Sequence, residues 1–187
     1  MPIDAKVLMN HPEKSPAFDF LLISGLTALA CAVYLLEMLL PRPLPWLKFG
    51  FSNAVILIFM PVLSWRKLAT IQIGKAFFSH LFLGLLISPT FLFALVGGLV
   101  SVSVMVLAYR IGRFSFVAIS ILGALAHTFS QLLIVYILFS QSRLVIQLFL
   151  PLGLLACVFG AITGFLATAV LRRGILERLP ETFADSL

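Results

Sequence analysis

The sequence predicts an all-α polytopic membrane protein, a bundle of six transmembrane helices with both termini cytoplasmic. Three observations carry that expectation. The 187 residues are 61% hydrophobic and 11% charged, with a mean hydropathy of +1.15, where soluble domains run near roughly 45–50% apolar and about 25% charged. Six of the seven acids, Asp4, Glu13, Asp19, Glu177, Glu181 and Asp185, sit in or beside the tails, so Glu37 is the only acid between Phe20 and Arg172. The apolar residues also fall into six runs, each near the ~20 residues a spanning helix needs.

The first run, Phe18–Leu40, carries Glu37 near its outer end and, in GLTALACA, a small-residue face of Gly25, Ala28 and Ala32. The second, Leu47–Trp65, is short unless Leu47 and Lys48 belong to it, and sets Asn53 a short distance below the outer surface. The third, Leu68–Ser88, holds two polar groups; counted from Arg66 at ~1.5 Å per residue, Lys75 lies roughly 13 Å and His80 roughly 21 Å into the membrane. Only Ser88-Pro89 separates it from the fourth, Thr90–Tyr109, which implies a tight outer turn, and Gly97-Gly98 marks close packing. In the fifth, Phe114–Ser140, His127 and Gln131 share a face, at about 21 Å and about 27 Å from Arg113. The sixth, Leu144–Leu171, contains the GxxxG of Gly160 and Gly164. The last two runs exceed the span and are expected to tilt or project.

Cations set the orientation. With the amino terminus inside, nine lie on the inner side (Lys6, Lys14, Arg66, Lys67, Arg110, Arg113, Arg172, Arg173 and Arg178) and three on the outer (Arg42, Lys48 and Arg143), with Lys75 within a span. The positive-inside rule then makes both termini cytoplasmic. The organisation is a tail (residues 1–17), a transmembrane domain (18–171) and a second tail (172–187), the last expected to lie along the inner surface as a short amphipathic extension. The polar first 17 residues do not read as a cleavable signal peptide.

Several functions are excluded. The net charge of +6 is scattered between apolar runs, and nucleic-acid binding needs a continuous basic surface. Cys31 and Cys157 fall in apolar runs and read as small packed side chains. Neither His80 nor His127 has a spacing partner for a metal site, so no metal and no cofactor is expected.

The remaining polar groups gather in the outer half, where each is costly: roughly 2.5–3.5 kcal/mol for a mid-membrane charge on insertion scales. Glu37 and Lys48 read either as a mutual or headgroup pair or as ligand contacts. His80, His127, Asn53 and Gln131 read either as interhelical hydrogen-bond glue or as a site. Lys75 is too deep to snorkel easily and needs Glu37, a carbonyl or an anionic ligand. The substrate-binding candidates are therefore Glu37, Lys48, Asn53, Lys75, His80, His127 and Gln131, with no catalytic residue among them.

The segment Pro41-Arg42-Pro43-Leu44-Pro45-Trp46-Leu47-Lys48-Phe49-Gly50-Phe51-Ser52-Asn53, after a helix bearing Glu37, resembles the P-x-P-x-x-K-x-G-x-x-N pattern of the heptaprenyl diphosphate synthase component I family, also called the Gx transporter family. Gly123-Ala124-Leu125-Ala126-His127-Thr128-Phe129-Ser130-Gln131 resembles its G-A-x-x-H-x-x-x-Q segment, with Thr128 in place of the usual Asn; Lys75 stands where the pattern has Arg, which keeps the charge without the planar fork. The resemblance runs from about Thr27 to Phe139. That family is similar to the substrate-binding S-components of energy-coupling factor (ECF) transporters. It implies a multi-pass protein of a prokaryotic cytoplasmic (inner) membrane. It also implies a transmembrane coupling protein and a cytosolic ATPase pair as partners, with Ala28 and Ala32 as the docking face. The enzyme label is not expected to apply: Asp4, Asp19 and Asp185 are isolated, where a D-D-x-x-D metal cluster needs several carboxylates, and no G-x-x-x-x-G-K-[ST] loop is present.

The leading expectation is therefore a non-enzymatic, substrate-capturing membrane subunit of an ATP-driven importer for a small vitamin-like or isoprenoid-like molecule. The alternatives are a non-catalytic membrane partner of a polyprenyl diphosphate synthase, a stand-alone transporter, or a subunit of a membrane redox or quinone system.

Overall fold

A computed structural model describes residues 16–39, 50–138 and 143–173. All regular structure among them is helical: α1 (Pro16–Met38), α2 (Ser52–Phe59), α3 (Trp65–Phe82), α4 (Pro89–Ile111), α5 (Phe116–Leu138) and α6 (Arg143–Arg172). Four helices are long and apolar enough to cross a membrane, over Ala17–Met38, Pro89–Ile111, Phe116–Leu138 and Gln147–Arg172. The other two differ from the expected spans. α2 covers only 8 residues of the second run: Gly50 enters it with φ +84°, and Pro61, without an N–H, cannot extend its ladder. α3 has 18 residues and starts earlier than expected, at Trp65, so that Arg66, Lys67, Gln72, Lys75 and His80 all lie on it. α3 also ends earlier than its run, at Phe82, so the link to α4 is residues 83–88, with Gly84 at φ +68°, and not Ser88-Pro89 alone. α4 begins with Ser88 as cap, its hydroxyl accepting from Thr90 N at 3.1 Å, and Pro89 in the first turn.

Helix directions follow from specific contacts. Lys67 pairs with Asp19 at 2.8 Å, joining the starts of α1 and α3, and Ser79 Oγ donates to Cys31 Sγ at 3.3 Å further along both. These two helices are parallel. α4 returns beside α3, with Trp65 Nε1 donating to Ser103 Oγ at 3.3 Å and His80 against Phe91. α5 and α6 reverse again, with ring contacts between Tyr109 and Phe116 and between Phe129 and Phe149. Odd helices therefore run one way and even helices the other, so the start of α1 and the end of α6 lie at the same end of the bundle.

The helices close into a ring. α1 packs on α3, α3 on α4, α4 on α5, α5 on α6, α6 on α2, and α2 on α1. Glycines set the tightest crossings. A Cβ on Gly160 would lie 2.9 Å from Ile121 Cα, and one on Gly164 2.6 Å from Val117 Cα, so the GxxxG face of α6 lies directly on the α5 backbone. Gly74 similarly admits Thr27 between α1 and α3.

The outer surface is apolar, as it is not in a soluble bundle. Phe20, Leu21, Leu36, Phe82, Leu107 and Phe165 are exposed, while Glu37, Gln72, Lys75, His80, Ser101 and Thr163 are buried beside an apolar core of Ile56, Leu57, Leu68, Ile71 and Ile119. An outer shell of large apolar side chains, with polar groups kept inside, is what a hydrocarbon solvent selects. The chain is a helical membrane protein.

A polar cavity enclosed by the helix ring

The interior cavity is lined from all six helices and has about 60 Å³ open to the centres of water-sized spheres, room for on the order of five waters. Its charged part is built on the first turn of α2. Glu37, near the end of α1, accepts from Gly50 N at 2.6 Å and Ser52 N at 3.5 Å. A carboxylate from one helix thus satisfies amides at the start of another, where the helix dipole favours negative charge. Lys75 of α3 reaches the same turn and donates to Asn53 Oδ1 at 2.7 Å and Ser52 Oγ at 3.4 Å. Glu37 and Lys75 are 4% and 5% exposed; Ser52 binds both, one through its amide and one through its hydroxyl. The two buried charges compensate each other across one residue, which is the condition for tolerating either in an apolar medium.

Asn53 does not lie just under one surface, as expected. Its partner Lys75 is about 15 Å along α3 from Trp65, so the pair sits at mid-height. The reason is the short α2, whose first turn begins deep in the bundle.

On the opposite wall, Gly97 lets His127 approach the α4 backbone: a Cβ there would be 3.1 Å from His127 Nδ1. Gln131 Nε2 lies 3.0 Å from His127 Nε2. The amide N–H donates to Nε2 in the Nδ1–H tautomer, and the roles change with the tautomer. Thr128, the departure from the family pattern, also lines the cavity.

Asn53, Lys75 and His127 are brought together on the cavity wall. Glu37 supports the wall from behind α2, and Gln131 supports His127. His80 is elsewhere: its Nδ1–H donates to Ala76 O at 2.8 Å, and its ring lies between Tyr34 and Phe91, 1% exposed. It holds α1 and α4 against α3 and is not among the lining residues. Lys48 lies outside the described residues, as do Arg42 and most of the proline-rich segment. Among the described residues no group of three His, Cys, Asp or Glu stands close enough to hold a metal ion.

Polar lining residues outside the expected candidates include Tyr34, Ser52, Gln72, Ser101, Ser120 and Thr163. Gln72 precedes Lys75 by one turn, and Thr163 sits inside the GxxxG, so polar residues at helical spacing from Lys75 and from the small-residue face were the available signals.

Ala28 and Ala32 point outward. Both are exposed, as is Gly25, where a Cβ would meet nothing within 4 Å. With Leu21 and Leu36 they form an outer face of α1 that none of the described residues covers, unlike the Gly160–Gly164 face, which is consumed by internal packing.

The model of the family described as heptaprenyl diphosphate synthase component I matches residues 26–170. No curated protein and no solved structure matches the chain.

Proposed function

Since the chain belongs to the heptaprenyl diphosphate synthase component I family, we propose that it works as a membrane-embedded substrate-binding subunit, S-component-like, of an ATP-driven importer, the ATPases being supplied in trans. The observation that carries this reading is the cavity: six helices close around buried polar groups converging from every element, with Lys75 and Asn53 on one wall and His127 on the wall opposite. Buried polar groups in a lipid-facing bundle are expensive, and a cargo site is a reason to keep them. The exposed small-residue face of Ala28 and Ala32 supports a second part of the reading, a close helix crossing with a coupling protein. In this scheme six crossings of a prokaryotic inner membrane put both termini in the cytoplasm, in keeping with the cation distribution.

Lys75 attracts and neutralises an anionic or strongly polar group of a small vitamin-like molecule, Asn53 orients it, and His127 donates or accepts according to tautomer. Lys75→Met keeps length and removes the charge. It is expected to fold with a lowered melting midpoint, because Glu37 loses its counter-charge, and to bind cargo roughly ten- to a hundredfold more weakly, the value of about 1.5–3 kcal/mol for a charge-assisted bond. Parent-like binding and transport by both Lys75→Met and His127→Ala would reduce the wall to interhelical glue.

The family's description favours one further reading, a non-catalytic membrane partner of a polyprenyl diphosphate synthase. Native mass spectrometry of the gently purified protein separates the two. Co-purified ATPases and a coupling protein support the importer, and a soluble prenyl synthase supports the alternative.

A further inference from the structure

The cavity has a second, uncharged end. α3 and α5 start at the Asp19–Lys67 end of the bundle, and α4 and α6 finish there. On α3, Gln72 precedes Lys75 by one turn and its amide lies over Gly98 of α4. Ser101, one turn further along α4, lies 3.2 Å from where a Gly123 Cβ would be, and Thr163 sits between Gly160 and Gly164, which both pack on Ser120, one turn before Gly123 on α5. The alternation of helix direction therefore carries all three residues towards the same end of the cavity.

Gln72, Ser101 and Thr163 are 1%, 1% and 3% exposed and line the cavity. Gln72 Oε1, Ser101 Oγ and Thr163 Oγ1 are buried without a hydrogen-bond partner among the described residues. In most proteins such atoms are satisfied, because each otherwise carries the full desolvation cost of the group. Gln72 is also held in place. Gly98 leaves the space its amide occupies, and its Nε2 donates to Ala94 O at 3.3 Å. That commits one N–H of the amide and leaves Oε1 as an acceptor.

We infer that Gln72, Ser101 and Thr163 form a recognition floor for an uncharged edge of the cargo bearing both hydrogen-bond donors and acceptors, such as ring N–H and C=O groups. Resting on the reading of the cavity as a cargo site, this narrows the cargo class. Gln72 requires an N–H or O–H from the ligand, and the two hydroxyls each donate once and accept. A mixed edge satisfies all three, whereas a hydrocarbon chain would bury them unpaired. The cargo is thus a compact polar heterocycle entering edge first, with any anionic group left at Lys75. A prenyl chain does not suit the floor. Without cargo, waters occupy it and are displaced on binding.

The full chain, purified in detergent, is melted with uracil, orotate, lumazine or geranyl diphosphate, and the same series is run on Ser101→Ala/Thr163→Val. At least one of the three N–H/C=O heterocycles is expected to raise the parent's midpoint, and the double variant is expected to bind that compound at least tenfold more weakly. The ligand-free double variant should melt no lower than the parent, since unpaired or water-bound hydroxyls are replaced by apolar groups of similar shape. Stabilisation by geranyl diphosphate alone, a heterocycle shift that survives in the variant, no shift from any heterocycle, or a lower ligand-free midpoint would each overturn the floor. Lys75→Met separates the two levels: if it loses the heterocycle and the double variant does not, the floor fails and the cargo site stands. If neither loses it, both fail.

Discussion

Gly98→Ala is the sharpest probe of how this interior is assembled. The added Cβ would lie 1.7 Å from Gln72 Nε2 and 2.5 Å from its Cδ, so the amide must leave its place over α4. It then gives up the bond to Ala94 O, and a buried donor without a partner costs about 1–3 kcal/mol. Against that, Ala in place of Gly within a helix gains about 0.8–1 kcal/mol. The net expectation is a destabilisation of roughly 0–2 kcal/mol. In a Gln72→Ala background the three atoms nearest the new Cβ are gone, and the same change should stabilise by up to the propensity term. The sign reverses, and the double-mutant cycle should return a coupling of about 1–3 kcal/mol. Reversible unfolding of the four proteins by SDS in mixed micelles measures it. Additivity within ~0.5 kcal/mol would refute the placement of Gln72 against Gly98.

Other substitutions test other parts. Gly164→Val drives a Cβ to 2.6 Å from Val117 Cα and should cost at least about 1–3 kcal/mol in the same assay, whereas Gly25→Ala, which meets nothing within 4 Å, should stabilise by the helix-propensity gain of about 0.8–1 kcal/mol. Ala28→Trp with Ala32→Trp should leave cargo binding intact and abolish transport and co-purification with a coupling subunit; normal transport would put docking elsewhere. Glu37→Gln replaces the carboxylate that accepts from Gly50 N and Ser52 N, removing the counter-charge to Lys75, and should lower the melting midpoint more than Gln131→Glu, a charge added outside the cavity lining. After replacement of Cys31 and Cys157, single cysteines at position 142 should label from outside and those at 14, 112 and 178 only from the cytoplasm; an odd number of crossings would remove the topology.

The all-helical fold was legible because lipid leaves few options: long apolar runs, acids confined to the ends and small-residue spacings each speak to helix packing. The family was legible in Lys48, Gly50, Asn53, Gly123, His127 and Gln131. What one-dimensional counting missed was depth. Asn53 was set near a surface because its run was counted as a full helix, yet the short α2 carries it to mid-height beside Lys75. His80 and Lys75 are five apart on one helix, but that spacing turns His80 toward Tyr34 and Phe91 while Lys75 faces the cavity. Gln72, Ser101 and Thr163 read as ordinary polar residues in sequence. Their meaning comes from alternating helix directions that carry them to one end of a shared space, a three-dimensional coincidence with no local signature. Gly25, Ala28 and Ala32 share the small-residue pattern with Gly160 and Gly164, and only the fold separates an open face from one already used.

The ring order has a consequence for how the bundle closes. α3 through α6 meander, each helix packing on its neighbour in sequence across short connections, which cost little loop entropy. α2 is different: it is wedged between α1 and α6, and its contact with α6 joins segments roughly 100 residues apart in the chain. The barrel of helices therefore has a seam, and the shortest helix in the molecule forms one side of it. Because Glu37 of α1 and Lys75 of α3 both tie to Ser52 and Asn53 in the first turn of that helix, charge and hydrogen bonds anchor α2 to the rest of the bundle, and its packing on α6 then closes the ring. Closure of the interior and assembly of its charged wall are one event, made by the same eight-residue helix.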